Sequence, residues 1–235
     1  LGYSIFSFQL ARSAFWLNFS LYGLLFVAYL FLNKQKLAWQ MILGIGVAFR
    51  LVFLFVFPEL SDDFYRFYWD GMQTMNGTSP FAFLPSDVNN AGLEPVYTKL
   101  NSQHYYSVYP GFNQMIYALG TYLGQSLGGF VFVVKLLLLV VELISFFFIY
   151  KLLQLKRKPL YLLSWYFLNP LVVLEFVGNM HFEGFMSCAL LASLYFVLVN
   201  KNLWSSVSLG LACAIKIMPF LFIPLYLVYS KRKQY

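Results

Sequence analysis

The sequence predicts an all-α, polytopic integral membrane protein with short interfacial helices in its first extracytoplasmic loop. Three observations carry that expectation. The chain is 60% hydrophobic and only 11% charged, against about 45–50% apolar and about 25% charged in an ordinary soluble domain. Apolar runs recur along its whole length, too many for a signal peptide. Basic residues gather in short clusters between those runs, at Lys34/Lys36, Lys156-Arg157-Lys158, Lys201 and Lys231-Arg232-Lys233. The net charge of +7 therefore reads as membrane topology and not as a nucleic-acid footprint. Helices are the expected form, because an isolated strand leaves backbone groups unpaired in lipid.

The apolar segments fall near 13–32, 37–57, 112–126, 128–153, 159–178, 182–199 and 203–230. Placing the basic clusters in the cytoplasm puts residues 58–111 outside as a long loop. The stretch 179–183 then lies on the same side. Segment 112–126 is short for a span, which needs about 20 residues, so it is expected to be re-entrant or interfacial. Lys216 and Pro219 interrupt the last segment. Two half-helices folded back there would return the basic tail to the cytoplasm; one kinked helix is the alternative. The whole chain reads as one transmembrane domain, 1–235, expected to be the N-terminal part of a longer protein. Cys188 and Cys213 lie inside apolar runs and are expected to be free thiols.

The loop opens on the stretch with most chemistry, residues 58–71. It carries Asp62, Asp63, Arg66 and Asp70 directly after an apolar run. Acids at a membrane boundary are costly to desolvate, so they tend to hold an ion, a substrate or a proton. Ser61 could cap a short helix here. At helical spacing Asp63, Arg66 and Asp70 share a face, and Asp62 pairs with Arg66. An interfacial aromatic anchor with solvated acids fits the same pattern.

Other ionisable residues stand out against the apolar background. Asn179, His181 and Glu183 follow Glu175, for which a structural ion pair with Arg50 is one reading. Lys216 sits about a dozen residues from either flank of its run, which suits a counter-charge to a phosphate or carboxylate. The loop tail carries His104 and several tyrosines, Tyr109 among them, a surface suited to a sugar or to an interface. Asn76-Gly77-Thr78 matches a glycosylation sequon. No phosphate-binding loop or dinucleotide fingerprint is present. A reaction here must therefore draw on a donor already activated in the membrane. A lipid-phosphate-linked sugar meets that need. Its phosphate needs a cation, from Lys216, Arg50 or Arg66, and its acceptor hydroxyl needs a base such as a carboxylate.

The segment Leu60-Ser61-Asp62-Asp63-Phe64-Tyr65-Arg66-Phe67-Tyr68-Trp69-Asp70-Gly71 resembles the first-loop signature of GT-C-type membrane glycosyltransferases, especially the polyprenyl-phosphate mannosyltransferase-like branch. Ser79-Pro80-Phe81, Tyr109-Pro110 with Gln114, Asn169-Pro170 before Glu175, Asn179-x-His181-x-Glu183-Gly184, and Lys216-x-x-Pro219 follow in the order of that family. Gly111 replaces a frequent proline and Glu183 a frequent aspartate. The resemblance implies a mannosyltransferase that inverts the anomeric centre, with Asp63 or Asp62 as general base. Asp63 is preferred for its shared face with Arg66 and Asp70. Arg66, Asp70, Arg50, His104, Tyr109, Asn179, His181, Glu183 and Lys216 are the expected substrate-binding residues. The expected partners are a polyprenyl-phosphate sugar donor, a glycan, lipid or protein acceptor, and membrane lipids. No cofactor is expected; two acids could bind a divalent metal, but no ligand set is complete. A transporter or flippase for a lipid-linked or anionic substrate is the alternative, as is a non-catalytic assembly subunit.

Overall fold

In the computed structural model, residues 2–3, 12–88 and 92–226 are described. Every regular element among them is helical. The α-helices are α1 (Phe15–Lys34), α2 (Trp39–Leu51), α3 (Asp63–Met75), α4 (Glu94–Tyr97), α5 (Gly111–Gly124), α6 (Leu127–Leu155), α7 (Ser164–Phe167), α8 (Pro170–Val172), α9 (Glu183–Leu198) and α10 (Asn202–Ile215). Tight 3-10 turns lie at Pro85–Asp87, Leu160–Leu163 and Met218–Phe222, and a π-helical turn, Val173–Gly178, continues α8. The basic tail Lys231-Arg232-Lys233 lies outside the described residues.

Among the described residues two helices, α1 and α6, are long and apolar enough to cross a membrane. The segments Leu160–Phe167 and Pro170–Gly178, bent by 49° at their junction, make a third candidate if they form one span. Helices α2, α9 and α10 are apolar but have 13, 16 and 14 residues. That is short of the roughly 20 residues of a straight span. The run 37–57 is therefore not one helix. Pro58 disfavours helical backbone before it, and a buried lysine takes over the carbonyls beyond Leu51. Lys135 on α6 donates to Phe53 O at 3.0 Å and Val56 O at 2.7 Å.

Helix α6 organises the packing, with α5 and α9 laid along it. It also carries Glu142, seven residues after Lys135. Glu142 accepts from Arg50 Nη2 and from Tyr166 Oη, both at 2.7 Å. The Arg50 guanidinium donates further to Gly46 O and Phe167 O and lies 4.0 Å over the Phe167 ring. Arg50 and Glu142 are wholly buried. Arg50 is thus held inside the protein, and its acid is Glu142 and not Glu175. A buried charge left without its partner is strongly destabilising, so this pair ties α2 to α6.

Helix α3 rests on α5, which has 14 residues and a length of about 21 Å, too short for the ~30 Å hydrocarbon core. The two backbones approach at Gly71, where a Cβ would meet Tyr117 O at 2.6 Å as well as the Thr121 hydroxyl. Gln125, left-handed at φ 56°, ends α5, and Gly124 and Gly129 let the next turn pass backbone against backbone. Helix α10 stops at Ile215 as the Lys216/Pro219 interruption suggested, and Asn113 Nδ2 holds Ile215 O at 3.1 Å. Cys188 and Cys213 are free.

Candidate active site

The packing of α3, α5, α9 and the end of α10 leaves a cleft of about 230 Å³. Asp63, Phe67, Tyr109, His181, Phe182, Glu183 and Lys216 line it. Asp63, Glu183 and Lys216 sit at helix ends. Asp63 and Glu183 are the first residues of α3 and α9, where helix dipoles favour negative charge. Lys216 follows the last residue of α10. Tyr109 precedes α5. The floor is aromatic: Phe67 stacks on Tyr117 with ring centres 4.7 Å apart, and Tyr109 and Phe182 pack edge-on against Phe67. Such a floor suits a sugar ring, whose C–H faces pack on aromatic rings.

The charges in the cleft are paired. Lys216 Nζ donates to Glu183 Oε1. His181 Nδ1 lies 3.0 Å from Glu175 Oε2, and Asn179 Nδ2 donates to the same oxygen at 3.2 Å. That bond to Glu175 raises the His181 pKa above the ordinary histidine value, against the opposing effect of burial. Asp63 Oδ1 accepts from Asn101 Nδ2 at 3.1 Å. Tyr109 lies beside Asp63; burial and then that carboxylate push the phenol well above its usual range, so it stays protonated.

The two candidate bases separate. Asp62 is half-exposed and pairs with Arg12 at 3.1 Å, and it does not line the cleft. Nor does it pair with Arg66, as the spacing suggested. Arg66 turns to Asp70, one helical turn further on, at 2.7 Å. Both are buried. Arg66 Nη1 donates to Ser102 O, Ser102 Oγ and Tyr105 O. Asp70 Oδ2 accepts from Ser107 Oγ at 2.6 Å and Gln114 Nε2 at 3.0 Å. Burial pushes the Asp70 carboxyl up while Arg66, Ser107 and Gln114 pull it back. Arg66 and Asp70 therefore clamp loop 102–107 onto α3 and α5 and do not face the cleft. Asn179 is buried behind Glu175. His104 is exposed and outside the cleft. Ser107 and Asn113 carry no charge and gave no sequence signal, although Gln114 stood beside the Tyr109-Pro110 motif and Asn101 lies in the loop tail read as suited to a sugar.

Among the described residues no group of three or more His, Cys, Asp or Glu side chains could hold a metal ion. A larger groove of about 510 Å³ runs along α9 between Leu190, Leu194 and Phe222. It contains no charged group to act on a glycosidic bond.

A family model described as alpha-(1->6)-mannopyranosyltransferase, N-terminal domain, matches residues 6–232. The chain belongs to this family. It is a glycosyltransferase domain of the mannosyltransferase type. The match bears out the resemblance read from the first-loop motif and favours an enzyme over a transporter. No curated protein and no solved structure matches the chain.

Proposed function

We propose that this mannopyranosyltransferase domain takes its sugar from a polyprenyl-phosphate-linked donor and passes it, with inversion, to an acceptor hydroxyl on the extracytoplasmic face. The observation that carries the reading is the convergence of Asp63, His181, Glu183 and Lys216 on one aromatic-floored cleft. The acceptor oxygen attacks the anomeric carbon from the side opposite the phosphate. Asp63 accepts the hydroxyl proton. The bond from the anomeric carbon to the phosphate oxygen breaks, and its electron pair leaves with the polyprenyl phosphate. Lys216 offsets the charge gathering there.

The supports for Asp63 over Asp62 are its place in the cleft and its two fixed neighbours, Asn101 and Tyr109. Stereochemistry adds a constraint. The linkage in the family description is α-(1→6). Inversion to an α product requires a β-linked phosphate donor, and a 1→6 link requires a primary hydroxyl as acceptor. That hydroxyl is the 6-OH of a hexose, in a glycan that is free or carried on a lipid or protein. The extracytoplasmic placement is supported by the basic clusters between the apolar segments.

The test is incubation of membranes holding the full-length protein with a panel of radiolabelled polyprenyl-phosphate sugars. Transfer from the β-linked mannose donor is expected, with loss in Asp63→Asn. Full activity in both Asp62→Asn and Asp63→Asn would sink the assignment.

A further inference from the structure

We infer that Glu175 is a positioning residue that holds His181 as a second cationic hydrogen-bond donor for the phosphate of the lipid-linked sugar. The inference rests on the donor proposed above.

The backbone around this pair is unusual in three ways. Val173–Gly178 is π-helical, a form that occurs mostly as single turns and often at functional sites. Met180 is left-handed at φ 60° and its side chain is wholly buried, a strained conformation for a residue with a Cβ. The His181 amide then reaches back to Glu175 O at 3.0 Å. The outcome is that the carboxylate of Glu175 and the ring of His181 meet, with Asn179 Nδ2 donating to the same carboxylate oxygen, Oε2. Nδ1 is occupied by Glu175, which leaves Nε2 for the cleft that His181 lines.

The charge balance gives this arrangement a purpose. Lys216 is already paired with Glu183. Groups facing His181 are Glu175 from the π-helical turn, Glu183 from α9, Asp63 from α3, Tyr109 from the loop before α5, and Lys216 after α10. Three of these are carboxylates. With a neutral histidine, Lys216 alone among these groups is positive. An imidazolium adds a positive donor where the leaving oxygen gains its negative charge, and no proton transfer to that oxygen is needed. Glu175 favours the charged ring, and Nδ1–H to Glu175 orients it.

The variant that separates charge from shape is Glu175→Gln, which keeps an acceptor for Nδ1–H. His181 carries its charge below its raised pKa and loses it as pH rises through that value. Removing the carboxylate lowers the value, so the loss comes at lower pH. The full-length enzyme in membranes, assayed with polyprenyl-phosphate mannose, should show the alkaline limb of kcat/KM shifted down by about 1 pH unit or more in Glu175→Gln. Donor KM should rise on the alkaline side and kcat/KM recover toward wild type at lower pH. His181→Lys should move the limb upward. A second readout needs no donor. In a His104→Gln background, the pH midpoint of diethyl pyrocarbonate modification of His181 should fall in Glu175→Gln. An unmoved limb and midpoint in Glu175→Gln would overturn the inference while leaving the donor reading intact. A wild type that transfers no polyprenyl-phosphate sugar would overturn the donor reading and this inference with it, even if the midpoint moves.

Discussion

Asp62 and Asp63 are neighbours with unlike surroundings. The first faces solvent beside Arg12; the second faces an aromatic cleft beside Asn101 and Tyr109. Base catalysis by a placed side chain contributes about 10²–10⁴-fold, so Asp63→Asn should lose that much sugar transfer. Asp62→Asn should stay within a few-fold of wild type in the same radiolabel assay. Lys216→Met should chiefly raise donor KM, measured with the polyprenyl-phosphate donor under saturating acceptor. The sequence made the cleft residues legible because ionisable groups are scarce in so apolar a chain. Asp63, His181, Glu183 and Lys216 each stood out for that reason. The same reasoning could not tell a charge that awaits a substrate from one already taken by the protein. Arg50 shows this: its partner, Glu142, lies 92 residues away, inside a run that reads as plain membrane helix.

At the scale of elements, the functional groups sit on helix ends, and the contacts that fix those ends are buried and polar. Arg66, Asp70, Ser107 and Gln114 fasten the loop before α5 to α3. Removing one member of a buried pair costs about 3–5 kcal/mol. Asp70→Ala should therefore destabilise the protein by that order, with limited proteolysis cutting first between residues 76 and 109. Gly71→Val should act in the same direction by separating α3 from α5, since its added carbons meet the Tyr117 carbonyl. Most helix positions followed from hydropathy, and the break at Lys216 followed from proline chemistry. The early end of α2 did not, because its terminator belongs to another helix. The pairing within 61–71 was also misjudged. Spacing allowed Arg66 to meet either Asp62 or Asp70, and burial against α5 selected the latter.

At the scale of the whole molecule, two helices among the described residues, or three with the bent pair, are long and apolar enough to cross a membrane, and with the family match they suggest a membrane protein. The basic clusters predict which side each turn occupies. With Cys188 and Cys213 replaced by alanine, a cysteine at Ser79 should react with an impermeant maleimide applied from outside. One at Lys156 should react only after the membrane is opened. Labelling of both from the same side would contradict the extracytoplasmic placement of the cleft. A further consequence follows from Lys135. Its Nζ donates to Phe53 O and Val56 O, ten and seven residues before Asp63. The point where the chain leaves α2 and sets out toward its proposed base is thus pegged to α6, like a rope tied off on a mast. Any sliding of α6 along its axis would drag the start of α3 with it. A lysine outside the cleft thus bears on where the proposed base sits, and it does so from the N-terminal third of α6.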